Sequence, residues 1–276
     1  MKNILVPVDF SQTAKNSAIY AANIACEIGA EKLILYNAYS MPLATEMSWA
    51  VLQTEELQKA SEEGLRNYKA ELEAICPGNL AIETISDFGF LAERIDGVAH
   101  EANADLIVMG ITGGGKLEEV LVGSNTTHVV HNTSIPVLIV PADARWKGVK
   151  VIGWACDYKD VLKTTPAAAI SKMAGELKAK MVVMHNNPDP KAFDPELFHN
   201  NVMVAELLKS IQPEFDMVSF EDFLEATHDF VERHKVDILM VIPKKVGWFE
   251  SLFRRSHTKM LAFHSHIPLL CLRALP

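Results

Sequence analysis

The sequence predicts an α/β fold in which two tandem units each contain a parallel sheet with helices on both faces. Short runs rich in β-branched and apolar residues alternate with longer segments of helical period, which is typical of βαβ units. The strand-like runs are apolar throughout, as expected when helices cover both faces of a sheet. The second half of the chain repeats the order of segments in the first half, which predicts two units instead of one.

The first half contains the segments expected of one unit. Strands are predicted at Asn3–Val8, Lys32–Asn37, Ala81–Ile85, Asp105–Met109 and Pro136–Val140. Helices are predicted between successive strands, at about Thr13–Ile28, Glu55–Ile75, Leu91–Ala102 and Asn125–His131. Pro77 and Gly78 mark a turn after the second helix.

The second half of the sequence matches the first half at two constant residue offsets. Val151–Asp157 matches Asn3–Asp9, and Met181–Asn186 matches the second predicted strand at the same offset. Asp237–Met240 matches the fourth predicted strand at a smaller offset, and this register continues without a gap through Ile267–Leu270. The second copy is therefore shorter in its middle. We predict domains at 1–142 and 149–276, with the boundary at Asp143–Gly148.

Composition and charge narrow the function classes. The chain of 276 residues is 49% hydrophobic and 22% charged, as expected of a soluble globular protein. Its net charge of −9 argues against general nucleic-acid binding, which needs an excess of Lys and Arg. No apolar run approaches the roughly 20 residues that span a bilayer, and the first apolar stretch is too short for a signal peptide. We expect a cytoplasmic protein with no nucleic-acid or membrane partner.

The cysteines and histidines give weaker signals. Cys26, Cys76, Cys156 and Cys271 are scattered and form no CxxC pair. Cys26 and Cys271 lie in apolar segments, which favours buried thiols over disulfide partners or metal ligands. Two histidine sets invite a metal hypothesis: His128 with His131, and His257 with His264 and His266. No cysteine or carboxylate completes either set at a recognisable spacing, so we expect no metal centre.

The segment after the fourth predicted strand carries the strongest functional signal. It contains five glycines from Gly110 to Gly123 and leads through Ser124 into a helix. Ligands of open parallel sheets bind beyond the carboxyl ends of strands, and glycines there allow a close backbone approach. Ser124 is a good N-cap, and the free N–H groups of the next turn form an anion site. The pattern indicates phosphate binding; the alternative is a loop whose glycines only turn the chain.

Two better-known phosphate-binding motifs fail in this segment. The run Gly110–Lys116 is one residue short of a P-loop, and Leu117 replaces the hydroxyl that would bind magnesium. The dinucleotide pattern G-x-G-x-x-G also fails, because Glu118 stands where Gly113 and Gly115 would require a third glycine.

The pattern that does fit is G-x2-G-x9-G-[ST], formed by Gly110, Gly113, Gly123 and Ser124. Together with the strands Ile4–Asp9, Asp105–Gly110 and Ser134–Pro141, it makes the whole first copy resemble the universal stress protein family. Members with this glycine spacing typically bind ATP, with or without Mg²⁺. The resemblance also implies Rossmann-like, five-stranded parallel sheets of order 3-2-1-4-5, with tandem copies forming an internal pseudo-dimer and a homodimer as a further option.

The resemblance assigns roles to particular residues. Pro7, Val8 and Asp9 would flank the adenosine, although Asp9 could instead be only a helix N-terminal charge. Asn37 and Ala38 would line the base pocket. The remaining residues would contact the ribose and the phosphates: Met109, Gly110, Gly113, Gly123, Ser124 and Asn125.

The second copy loses the glycine pattern. Ile242, Lys245 and Arg255 replace the three glycines, while Ser256 and Asp157 are retained. We expect Ile242 and Pro243 to obstruct a phosphate. The segment Lys244–Arg255 is basic and aromatic, and it could be a packed loop, a site for an anion or an acidic partner, or a membrane-surface contact.

These observations predict a stress-response module that holds ATP in the first copy and responds through an unknown protein partner. The rival is an enzyme that slowly hydrolyses ATP or uses it for adenylation, with Lys116 as the only candidate cation in the loop. A third alternative is a purely structural pseudo-dimer without a ligand, in which the glycines of the first copy would have no binding role. The sequence identifies no catalytic residue.

Overall fold

The computed structural model describes residues 1–41, 50–78, 80–111, 124–156, 158, 160–186, 195–219, 223–243 and 267–275. The chain divides into two compact units between Trp146 and Lys147. Each unit has a parallel sheet and packed helices, which confirms the predicted fold class. Among the described helices, none combines the length and the apolar character that a membrane span requires.

The first unit contains the elements predicted for it, in the predicted order. Its described strands are β1 Asn3–Pro7, β2 Lys32–Tyr39, β3 Ala81–Phe88, β4 Leu106–Gly110 and β5 Val137–Val140. Its described helices are α1 Gln12–Ile28, α2 Ala50–Glu73, α3 Leu91–Glu101 and α4 Ser124–Asn132. The strands pair in parallel in the order β3-β2-β1-β4-β5. This confirms the 3-2-1-4-5 order.

The second unit has the same strand order. Its described strands are β6 Val151–Ala155, β7 Lys180–Asn186, β8 Glu214–Val218, β9 Ile238–Val241 and β10 Leu269–Cys271. Its described helices are α5 Val161–Thr164, α6 Ala167–Leu177, α7 Pro195–Leu207 and α8 Phe223–His234. The strands pair in parallel in the order β8-β7-β6-β9-β10.

The sequence repeat is also a structural repeat. β6 and β7 follow β1 and β2 at one common offset, and β9 and β10 follow β4 and β5 at a second, smaller one. The carboxylate of Asp105 accepts hydrogen bonds from the backbone N–H groups of Lys2, at 2.5 Å, and Asn3, at 3.2 Å. Asp237 does the same for Lys150 and Val151, at 2.7 and 2.9 Å. In each unit, therefore, one carboxylate fixes the start of the first strand.

The strands form because their side chains are buried from both sides. Ile4, Leu5, Val6, Ile107 and Val108 have no exposed surface. Each such side chain contributes about 1.5–3 kcal/mol relative to an exposed position. Ser11 caps the N-terminus of helix α1, because its hydroxyl accepts a hydrogen bond from the N–H of Ala14, and Gly29 caps the C-terminus in the left-handed conformation.

The structure corrects one cysteine prediction. Cys26 forms a disulfide with Cys76, so the interpretation of Cys26 as a free core thiol is wrong. The pairing arises because the end of α1 lies beside the residues that follow α2, with a Cα–Cα distance of 6.0 Å. Cys271 is a buried free thiol as predicted, and its burial raises the pKa of the thiol well above the usual value.

Candidate functional site

A cleft opens at the carboxyl ends of the first unit's strands. The described residues that line it come from the β1–α1 turn, the ends of β2 and β4, and the first turns of α3 and α4: Pro7, Val8, Asp9, Ser11, Thr13, Ala14, Tyr36, Ala38, Leu91, Met109, Gly110, Asn125 and Thr126. This is the edge at which ligands of open parallel sheets bind.

The β1–α1 turn places polar groups at one side of the cleft. The carboxylate of Asp9 accepts a hydrogen bond from the N–H of Ser11, at 3.0 Å, and the Ser11 hydroxyl in turn caps α1. Asp9 is exposed, so one carboxylate oxygen organises the turn while the group still faces the solvent. Asp9 therefore helps to set up the helix terminus and is also accessible to a ligand.

Residues of helix α2 pack against this turn. Phe10 takes a left-handed conformation with φ of 63°, which is rare for a bulky residue. Its ring packs edge-to-face on Tyr68, with centroids 5.6 Å apart, and covers the Cα of Gly64, where a Cβ would stand 2.6 Å from the ring. The Tyr68 hydroxyl donates to the Ser11 carbonyl, at 3.2 Å. Burial and the nearby Asp9 carboxylate raise the pKa of Tyr68.

Gly110 is required by packing at the floor of the cleft. A Cβ at this position would stand 2.8 Å from Thr13 Cγ2 and 2.9 Å from the Thr13 carbonyl oxygen. Both distances are shorter than real Cβ contacts, and the second involves backbone. Glycine thus lets the first turn of α1 approach the end of β4, which is a packing role in addition to the phosphate contact expected for it.

The first turn of α4 borders the cleft on the other side. The described part of this helix begins at Ser124, directly after residues that lie outside the described ranges, so the N-cap role of Ser124 stays a prediction. Asn125 and Thr126 line the cleft. Thr126 has no exposed surface, and its Oγ1 has no hydrogen-bond partner within the described part of the chain. A buried hydroxyl without a partner is costly to the folded state.

Asn37 has a different place from the one expected. Its side chain is buried, and its amide donates to the Val8 carbonyl at 2.6 Å. It therefore supports the end of β1 and is not among the described lining residues. The neighbouring Tyr36 lines the cleft, and its hydroxyl donates to Asp87 at 3.2 Å. Burial, followed by the Asp87 carboxylate, raises the pKa of Tyr36.

The structure therefore brings most of the expected site residues together. Seven line the cleft: Pro7, Val8, Asp9, Ala38, Met109, Gly110 and Asn125. Gly113 and Gly123 lie outside the described residues, as does Lys116, and the Ser124 side chain is not described. Six described lining residues were not expected from the sequence: Ser11, Thr13, Ala14, Tyr36, Leu91 and Thr126. Ser11 and Thr13 could have been found, because they are hydroxyl residues directly after a strand that ends at the cleft.

The same edge differs in the second unit. Ile242, which replaces Gly110, is buried with 6% of its surface exposed. Tyr158 takes the position and the left-handed conformation of Phe10, and it packs on His185 and bonds to Asn201 of α7. His185 contacts the Cys156 carbonyl at 3.4 Å, as Asn37 contacts Val8. The other predicted features of this edge lie outside the described residues: Asp157, Lys245, Arg255, Ser256 and the segment Lys244–Arg255.

The described residues contain no group of three His, Cys, Asp or Glu side chains that could hold a metal ion. His128 and His131 lie on α4. His257, His264 and His266 fall outside the described ranges.

Comparisons with known proteins place the first unit in a family. The family model described as "Universal stress protein family" matches residues 1–141. A universal stress protein of Methanocaldococcus jannaschii is 36% identical over 142 residues, which cover 50% of this chain and 81% of the relative. A second one from the same organism is 30% identical over 156 residues, covering 50% of this chain and 94% of the relative.

The fold of the whole chain also has a counterpart. A universal stress protein from Archaeoglobus fulgidus matches with a TM-score of 0.73 and covers 98% of both chains. Its sequence identity is 16%, so this likeness shows the fold alone. The cleft, the glycine pattern and the match over residues 1–141 agree: this chain belongs to the universal stress protein family.

Proposed function

We propose that the first unit binds ATP in its cleft and acts as a nucleotide-dependent binding or regulatory module in a cytoplasmic stress response. The observation that carries this proposal is the convergence of seven expected ATP-binding residues on one cleft. The buried hydroxyl of Thr126, which has no hydrogen-bond partner among the described residues, lies at the same cleft. The unit lies within the matched family region.

The chemistry of the cleft suits a nucleotide. Pro7, Val8, Ala38 and Met109 offer an apolar surface for the adenine, and Asp9 offers an acceptor for the ribose or the base. The N-terminus of α4 provides N–H groups and a partial positive charge for phosphate oxygens. None of the described lining residues is Lys or Arg. Lys116, in the glycine-rich loop, lies outside the described residues. We expect helix N–H groups and hydroxyls to contact the phosphates, with or without an accompanying Mg²⁺ ion.

Calorimetry with the Thr126→Val variant tests the proposal. A hydrogen bond to a charged group is worth about 1.5–3 kcal/mol, so ATP affinity should fall at least about tenfold. The melting temperature without ligand should not fall, because valine has the same shape and removes an unpartnered polar atom. Unchanged ATP affinity would contradict the proposed cleft.

Thr165→Val is the matched control. Thr165 is 3% exposed, and its Oγ1 likewise has no partner among the described residues, but it lies in the second unit. This variant should leave ATP affinity unchanged. Mass spectrometry of the nucleotide that co-purifies with the protein would identify the ligand independently. Turnover at rates near the about 1–10³ per second of typical enzymes would favour the enzymatic alternative.

A further inference from the structure

The Cys26–Cys76 disulfide links helix α1 to the segment just beyond helix α2. Both helices pack beside the β1–α1 turn at the edge of the cleft. Cys26 lies in the last turn of α1, and Cys76 lies shortly beyond the end of α2. Both residues are half-buried, so a small reductant can reach the bond. The disulfide closes a segment that contains the whole of α2, and this helix is therefore covalently held against α1.

Two further contacts hold α2 along α1. The Tyr68 hydroxyl donates to the Ser11 carbonyl at 3.2 Å, and Lys15 pairs with Glu71 at 2.5 Å. The disulfide is the third contact, and it joins the last turn of α1 to the segment just beyond the C-terminus of α2. The Lys15–Glu71 pair is largely exposed, and exposed pairs hold side chains only weakly. The covalent bond is thus the strongest of the three restraints.

The β1–α1 turn and the first turn of α1 form one wall of the cleft. Ser11, Thr13 and Ala14 line it, and their turn depends on the left-handed conformation of Phe10. Phe10 keeps that conformation while its ring is packed on Tyr68 and Gly64 of α2. A shift of α2 away from α1 would remove this packing and release the turn.

The second unit has no counterpart of this bond. Ala174 occupies the position that corresponds to Cys26 in the repeat, and the two other cysteines, Cys156 and Cys271, are buried and form no disulfide. The disulfide therefore belongs to the unit that retains the glycine pattern.

We propose that Cys26–Cys76 is a redox-sensitive tether whose reduction loosens α2 and the β1–α1 turn, and thereby weakens ligand binding in the cleft. A dithiol supplies two electrons and two protons. Its thiolate attacks one sulfur to form a mixed disulfide, and its second thiolate then displaces the cysteine, which leaves two protein thiols and an oxidised dithiol. The part of the inference that concerns the ligand rests on the proposed ATP binding; the part that concerns the turn does not.

The first measurement counts thiols in the denatured protein. The air-oxidised chain should show two free thiols, and the chain treated with dithiothreitol should show four. Four thiols in the oxidised protein would overturn the proposal. The melting temperature should fall on reduction by about 10 °C, since a disulfide across a loop of this length contributes strongly to stability.

The second measurement is amide hydrogen exchange with and without dithiothreitol. The N–H groups of Ser11, Ala14 and Lys15 are hydrogen-bonded within the turn, and their exchange should become at least about fivefold faster on reduction. Lys163 and Thr164, whose N–H groups bond to Asp160 in the second unit, should not change. Equal protection of the first-unit turn in both redox states would overturn the proposal.

The third measurement is ATP affinity by calorimetry. Reduction should weaken it at least about fivefold. The variant with Cys26→Ser and Cys76→Ser should bind like the reduced protein and should not respond to dithiothreitol, whereas Cys156→Ala should keep the full response. An affinity that does not change on reduction would overturn the claim about the ligand. Failure of the oxidised protein to bind ATP would instead contradict the proposed function. Hydrogen exchange would then still test whether the disulfide restrains the β1–α1 turn.

Discussion

The segments that follow the first strand differ between the two units. In the first unit, α1 runs unbroken from Gln12 to Ile28. In the second unit, the same stretch of sequence is divided into α5, which has a single turn, and α6, which starts at Ala167. The segment beside the first strand is therefore built differently in the two units, although their sheets have the same strand order.

A proline accounts for the break. The residue before a proline is disfavoured in the helical region, and Thr165 is extended, with φ of −83° and ψ of 118°. Pro166 also lacks the N–H that would continue the helix. At the end of the fourth strand, Ile242 then stands where Gly110 allows α1 to approach. We infer that the second unit gave up the close helix–strand contact on which the first cleft depends.

The features that both units share serve the fold. Asp105 and Asp237 fix the first strands, and Asn37 and His185 contact the carbonyls that follow those strands. Among the described residues, the two units differ at the end of the fourth strand and in the helix that follows the first strand. The repeat thus preserved its backbone anchors, while the edge beyond the carboxyl ends of the strands diverged.

Gly110→Ala should have the largest effect on this contrast. The new methyl group would collide with Thr13 and displace the first turn of α1, which should cost about 1–3 kcal/mol of stability. ATP binding should fall more than about tenfold. Ile242→Ala is the matched variant in the second unit and should leave ATP binding at one site per chain. Two equal ATP sites in the unaltered protein, measured by calorimetry, would contradict the contrast.

Asp105→Ala and Asp237→Ala should have smaller effects of similar size. Each removes a carboxylate that accepts two backbone hydrogen bonds, so each should lower the free energy of unfolding by about 1–3 kcal/mol. Denaturant titration of both variants measures the cost. A loss confined to one variant would mean that the anchor is not equivalent in the two units.

Asp87→Asn should have the smallest effect, and only in the first unit. The hydrogen bond from Arg94, at 2.8 Å, lowers the pKa of Asp87. A lowered pKa in the folded state adds stability above the usual pKa of an aspartate and loses it as the pH falls through the folded value. The variant should melt about 1–3 °C below the unaltered protein at pH 7. This difference should disappear near pH 2, and a constant gap would contradict the assignment.

The sequence was enough to predict two units and the sheet edge at which a ligand is expected, and the family resemblance implied the strand order. Apolar runs with constant offsets identify strands because both faces of a parallel sheet must be buried. The resemblance carried by the spacing of Gly110, Gly113 and Gly123 was sufficient to name most of the cleft. These signals are local in the chain, so they could be identified without a structure.

Which side chains face one another became known only from the tertiary structure. It turned Asn37 toward Val8, paired Cys26 with Cys76, and put Thr13 against Gly110. It also showed how the two cores fill the same space with different side chains. Gly153 packs against Phe230 in the second unit, where a Cβ would stand 2.6 Å from the ring, whereas the corresponding residues of the first unit are Leu5 and Val98. These contacts join residues far apart in the chain, and their geometry depends on strand register and helix approach, which no local pattern encodes.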